Sequence, residues 1–187
     1  MATVLPLDVQ TKVAAEVSEA FADAYYTALQ AARHTLSSFY VLHEATADGK
    51  TVPAIAWNGN LYESGAQFQE AFVELMPEYS YFEVQSLDAQ VLNPVPPAPR
   101  VDDVEDAMVD GADGGKKDTP VAKKKEAEEL VGSVLVLVNG FVRLKEKKEG
   151  PQKGFSETFV LVPNKEWSRK DGGRRWVVQN QNFRYVV

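Results

Sequence analysis

No cysteine occurs in the chain, so disulfides, thiolate metal sites and cysteine nucleophiles are excluded. Only two histidines are present, His34 and His43, too few to hold a zinc ion by themselves. No apolar run approaches the ~20 residues of a membrane span, and the N-terminus lacks the charged-then-apolar layout of a signal peptide. The expectation is a soluble intracellular protein with no membrane contact. Basic charge is also short. Twenty Lys and Arg stand against 27 Asp and Glu, a net charge of −7. That balance excludes wholesale binding to nucleic acid through a basic surface, though it leaves room for local cationic patches.

What is present suits one folded unit. The 187 residues are 44% hydrophobic and 10% aromatic, enough for a sizeable core in one domain spanning 1–187. One stretch breaks the pattern. Residues 93–129 hold half of the ten prolines, three glycines and no aromatic residue. Their charge is segregated, with Asp102, Asp103, Glu105, Asp106, Asp110 and Asp113 ahead of Lys116, Lys117, Lys123, Lys124 and Lys125. Such a stretch buries too little apolar surface to offset its ordering entropy, so a disordered insert between two strands is expected.

From Asp8 to about Tyr40 the apolar residues keep helical spacing: Val9, Val13, Val17, Phe21, Tyr25 and Leu29 recur in steps of four. Asp8 is placed as N-cap, and a short second helix is expected through Leu36, Phe39 and Tyr40. A strand from Ala54 to Trp57 meets the hairpin signal Asn58-Gly59. A third helix is predicted from Ser64, with Gln67 completing a capping box, a buried face of Phe68, Ala71, Phe72, Leu75 and Met76, and Pro77 as its stop. Long β-rich runs follow over 81–92, 130–144, 153–162 and 174–187. Helices first and a meander of strands afterwards define an α+β domain, with three N-terminal helices on one face of a strongly curved antiparallel sheet.

These strands are apolar on both faces. Val134, Val136, Val138 and Val142 alternate with Leu135, Leu137 and Phe141. Phe155, Phe159 and Leu161 oppose Val160 and Val162, and Val177, Phe183 and Tyr185 oppose Trp176 and Val178. A sheet with one solvated face reads apolar-in and polar-out. The helices cover one face, and nothing else in the chain is apolar enough to cover the second. Patches of that kind mark association surfaces. The chain made alone is therefore expected to self-associate or precipitate.

The order "LSSFY", "WNGNLYESGAQFQEAFVELMP", "LDAQ", "GFSETFVLVP" and "VVQNQNFRYVV" resembles the nuclear transport factor 2-like family over about 150 residues, all but the insert. Within it, the insert and polar loops look most like the small subunit of the heterodimeric messenger-RNA export receptor. The resemblance implies a non-catalytic protein without cofactor, located in the nucleus and at nuclear pores and shuttling to the cytoplasm. It would pair with the equivalent domain of a larger RNA-binding subunit and reach Phe-Gly nucleoporins through that heterodimer. The partner-binding face it implies carries Leu135, Leu137, Asn139, Phe141, Ser156, Thr158, Val160, Val178, Asn180, Asn182 and Arg184. Arg184 matches an arginine that in relatives meets a carboxylate of the larger subunit.

Two other functions remain open at this stage. The fold also hosts isomerases and dehydratases with a cavity between helices and sheet, and fold alone does not decide function. Acid–base candidates are Glu157, Asp88 and either histidine, whereas Gln179 and Gln181, placed inward on the last strand, transfer no proton at neutral pH. A homodimeric importer of the small GTPase Ran is the second alternative. Such relatives carry acidic residues where this chain has the cationic turn "RLKEKKEGPQKG" and Gln181. Lys145, Lys147, Lys148 and Lys153 of that turn are candidate contacts for RNA or a ribosomal particle, and "NKEWSRKDGGRR" forms a separate cationic loop.

Overall fold

The computed structural model describes residues 6–46, 49–93, 131–145, 150–167 and 173–186. The expected insert, apart from Asn93, lies outside the described residues, as do Lys147 and Lys148.

Helix α1 spans Leu7–Ala31. Val13, Val17, Phe21, Tyr25 and Leu29 are all buried, so the four-residue spacing read from the sequence is the core-facing stripe. The cap differs from expectation. Pro6 occupies the N-cap position and no side chain caps the helix, while Asp8 lies in the first turn. There its carboxylate complements the helix dipole rather than the free N–H groups. A 3-10 helix, Arg33–Phe39, carries Leu36 and Phe39 into the core.

Helix α2 spans Gly65–Leu75. Ser64 Oγ accepts from Gln67 N at 3.1 Å, and Gln67 Oε1 accepts from Glu63 N at 2.8 Å. These are the reciprocal bonds of a capping box, with the return bond one residue earlier than usual. Phe68 and Phe72 are buried, each burial contributing about 2 kcal/mol. Leu75, expected on that face, is instead 67% exposed.

Arg33 holds the end of α2. Its Nε donates to Leu29 O at 3.0 Å, Nη1 to Met76 O at 2.9 Å, and Nη2 to Pro77 O at 2.6 Å and Ser80 Oγ at 2.6 Å. The guanidinium also lies 5.2 Å from the centre of the Phe72 ring. A cation on the terminal carbonyls of a helix is favoured electrostatically. Arg33→Ala orphans several carbonyls at once and is expected to cost about 2–3 kcal/mol, read as a lowered denaturation midpoint with an unchanged slope.

The described residues form eight strands: β1 Glu44–Ala45, β2 Thr51–Val52, β3 Ala54–Trp57, β4 Asn60–Tyr62, β5 Tyr81–Asn93, β6 Ser133–Arg143, β7 Gln152–Pro163 and β8 Trp176–Val186. β1 and β2 form a separate two-stranded ribbon, and the main sheet runs β4-β3-β8-β7-β6-β5. Asn58 and Gly59, both at positive φ, make the β3–β4 turn as their sequence predicts. The sheet is not wholly antiparallel. β3 pairs parallel to β8, through Ala54–Asn180 to Trp57–Phe183, so the sheet is mixed. The hairpin enters before the helix α2 and docks on the far edge of the last strand, a pairing that adjacency in sequence does not reveal.

The core lies between the helices and the inner face of this sheet. Phe159 sits 4.9 Å from Phe21 and 5.1 Å from Tyr25 between ring centres. Trp57 stacks on Phe183 at 3.8 Å. Gly140 on β6 is required by close approach: a Cβ there would collide with the Glu83 carbonyl oxygen and the Phe155 ring. That crowding coincides with a bulge in β5 between Val84 and Ser86.

Candidate interaction surface

The pleat sorts every strand residue onto one of two faces. On β6, Val134, Val136, Val138 and Val142 are fully buried beneath the helices. Leu135 and Asn139 on the other face are half-buried, and Leu137 and Phe141 are 37% and 41% exposed. On β7 the outward Ser156, Thr158 and Val160 are half-buried. On β8 Asn180, Asn182 and Arg184 are exposed. Ten of the eleven residues expected on the outer face are therefore there.

Val178 is the exception. It is fully buried and pairs with Leu161, an inward residue, while Val160 pairs with Asn180. Gln179 is thus the extra residue of a bulge, and side-chain parity reverses across it. Trp176 packs toward the core with Val178, while Val177, opposite Val162, takes the outer side. Gln179 is half-buried rather than a core position. A strict two-residue alternation along 176–186 places this end of β8 on the wrong faces.

The register also joins residues from distant parts of the chain. One outer row crosses all six strands: Leu61, Ala56, Asn182, Thr158, Leu137 and Asp88. The next runs Ala54, Asn180, Val160, Leu135 and Gln90. A third has Arg184, Ser156, Asn139 and Ser86, with Asn139 Nδ2 donating to Ser86 Oγ at 3.2 Å. The face is aliphatic at its centre, edged by amides, with Arg184 on β8 and Asp88 on β5. Leu61, 79% exposed, was not foreseen, since it depends on the parallel docking of the β3–β4 hairpin.

The acid–base candidates are not brought together. Asp88 lies on the outer face opposite Leu137, with its carboxylate accepting from Ala89 N at 2.9 Å. His34 and His43 are exposed, and His43 Nδ1 lies 2.6 Å from Glu63 O. Only Glu157 points inward, and it is sealed. Tyr26 Oη donates to its Oε2 at 2.6 Å and Gln181 Nε2 to its Oε1 at 2.6 Å. Gln181 Nε2 also donates to Tyr25 Oη at 2.8 Å, Tyr40 Oη donates to Gln181 Oε1 at 2.5 Å, and the two tyrosine hydroxyls are 3.1 Å apart. Burial pushes the Glu157 carboxyl up to about 7, against the opposing pull of the Tyr26 and Gln181 hydrogen bonds. Burial, reinforced by the Glu157 charge, raises the Tyr25 and Tyr26 hydroxyls well above their ordinary range. Tyr25 reads as apolar stripe in the sequence and Tyr26 lies outside that reading; the tyrosine hydroxyls, which need partners once buried, are the available sign of this network.

The cationic candidates divide. Lys145 is exposed, and Lys153 Nζ lies 5.1 Å from the centre of the Tyr185 ring. In the other basic loop, Lys165 pairs with Glu44 at 3.5 Å, and the Arg174 guanidinium stacks 3.2 Å from the Phe39 ring.

The model of the nuclear transport factor 2 (NTF2) domain matches residues 17–185, and the chain belongs to this family. No curated protein matches it in sequence. Among solved structures it is similar to the Chaetomium thermophilum Mex67 NTF2-like domain complexed with Mtr2, at 17% identity and TM-score 0.64, covering 93% of this chain and 99% of that one. A structure of Mtr2 gives 16% identity and TM-score 0.62 over the same shares. A putative dehydratase of the NTF2-like family from Streptomyces avermitilis gives 13% identity and TM-score 0.54, covering 95% of this chain and 99% of that one. The expected α+β architecture of this family is thus the observed one, with the sheet mixed.

Proposed function

We propose that this protein is the non-catalytic small subunit of a heterodimeric nuclear export receptor. Its outer sheet face binds the equivalent NTF2-like domain of a larger RNA-binding subunit, as Mtr2 is found with Mex67. The heterodimer supports passage of messenger RNA, and of ribosomal particles as a further cargo, through nuclear pores by way of Phe-Gly nucleoporins. The observation that carries this reading is the outer face itself. Leu137, Phe141 and Leu61 are exposed, and Leu135 and Val160 half-buried, on the outer face of a six-stranded sheet whose other side is already covered by helices. A face of that extent supports an interface of the standard ~1,600 Å². The sealed state of Glu157 supports the non-catalytic part, since a general base needs contact with the proton it removes.

Polar groups on the face select the partner. Among the described residues no carboxylate forms an ion pair with Arg184, which leaves its guanidinium to a carboxylate of the larger subunit. Lys145 and Lys153 supply a cationic end suited to an auxiliary RNA contact and unsuited to a basic GTPase surface. The direct test is affinity purification of the full chain followed by mass determination of what accompanies it. A larger NTF2-like subunit is expected; a Ran-sized chain, or none, would overturn the reading. In the same assay Arg184→Glu is expected to weaken association about tenfold or more. Reversing the opposing carboxylate on the partner should restore it.

A further inference from the structure

The sheet ends at β5, and no described strand pairs with its free edge. On the inner side of that edge, away from the partner face, α1 and β5 enclose a groove of about 390 Å³. Ala22 and Tyr26 form one wall, Val84 and Leu87 the other, and Glu19 and Asp23 stand on the rim one helical turn apart. Val84 is 38% exposed although its side chain points to the inner face, because the bulge at Gln85 lifts this part of β5 from under the helix. A second depression of about 550 Å³, reaching Glu78, Tyr79 and Lys145, shares Gln30 with the first, so the two run end to end along α1. Across both, three carboxylates face one ammonium group.

We propose that this groove is a second docking site, separate from the partner face, for an extended basic peptide segment of another protein. An apolar side chain of that segment enters between Tyr26 and Leu87, and Lys or Arg on either side meets Glu19 and Asp23. The sign of the rim selects this occupant: an acidic segment or a nucleic-acid backbone would be repelled. The β5 edge beside it, which no described strand occupies, offers main-chain hydrogen bonds to an extended chain.

The test uses the full chain with its co-purifying partner as bait for a random peptide library, alongside the Glu19→Lys/Asp23→Lys variant. Both positions are exposed, so the variant is expected to fold and to keep its partner. Peptides placing an apolar residue within two positions of Lys or Arg should be recovered about tenfold more from the wild type, and their binding should weaken with added salt. Amide shifts on adding an enriched peptide should fall in α1 and β5. Recovery independent of Glu19 and Asp23, enrichment of acidic peptides, or shifts confined to the outer face would each overturn the proposal. Loss of the partner itself would instead count against the heterodimer reading.

Discussion

Replacing Leu137 and Phe141 together by arginine is expected to abolish heterodimer formation while leaving the fold of the chain intact. Both residues are on the outer face of β6, 37% and 41% exposed in the single chain, so neither fills the core. Leu137 is also central, flanked by Thr158 on β7 and Asp88 on β5. A partner seated on this face would remove both from water. The two arginines would then lose the aliphatic and aromatic contacts and be forced out of water against an apolar partner surface, which the neighbouring Asp88 and Glu83 offset only in part, at a combined cost of about 4 kcal/mol, roughly a thousandfold in affinity. The neighbouring inward positions give the contrast. Val136 and Val138 are fully buried, and arginine there would unfold the chain rather than dissociate it. Co-expression with the partner, followed by affinity capture and circular dichroism, separates the two outcomes. Full recovery of the partner with the double variant would remove the outer face from consideration. The variant alone is also expected to be more soluble than the wild type, since it carries less exposed apolar surface.

Local pattern made much of this molecule legible. The four-residue stripe of α1, the Ser64–Gln67 cap, the Asn58-Gly59 turn and the alternation along β6 and β7 each depend on neighbours in sequence, and each is found as read. What was not legible depends on relations between distant segments. The parallel docking of β3 on β8 adds Ala54, Ala56 and Leu61 to the outer face, although helix α2 separates the hairpin from every long strand. The bulge at Gln179 turns Val178 inward because Tyr40 and Leu161 both meet it there, and no turn residue announces the extra position. A bulge at Gln85 likewise sets the faces of β5, leaving Asp88 beside Leu137 rather than beside Glu157. Nothing in the sequence singles out Arg33, because most of its partners, Met76 O, Pro77 O and Ser80 Oγ, lie more than forty residues away and carry no sequence signature.

Glu157→Gln is expected to remove most of the pH dependence of folding between about pH 4.5 and 7. In the folded chain the carboxyl is held up to about 7 from 4.5, chiefly by burial. Within that window the folded state keeps a proton that the unfolded state has released, so raising the pH favours unfolding. The loss grows from near zero at pH 4.5 to about 3 kcal/mol above pH 7, and it is constant beyond. Glutamine fits the same place without the charge. Its amide oxygen accepts from Gln181 Nε2, and its amide nitrogen donates to the Tyr26 hydroxyl, which can accept as readily as donate. The variant should therefore match the wild type near pH 5 and exceed it by about 2–3 kcal/mol at pH 8, measured by chemical denaturation. Glu157→Ala separates the charge from the hydrogen bonds. It removes the acceptor of Tyr26 and one of the two acceptors of Gln181 Nε2 in a sealed core, and should destabilise the chain at every pH. Identical slopes for wild type and Glu157→Gln would mean that Glu157 is already ionised across this range, with its two donors outweighing its burial.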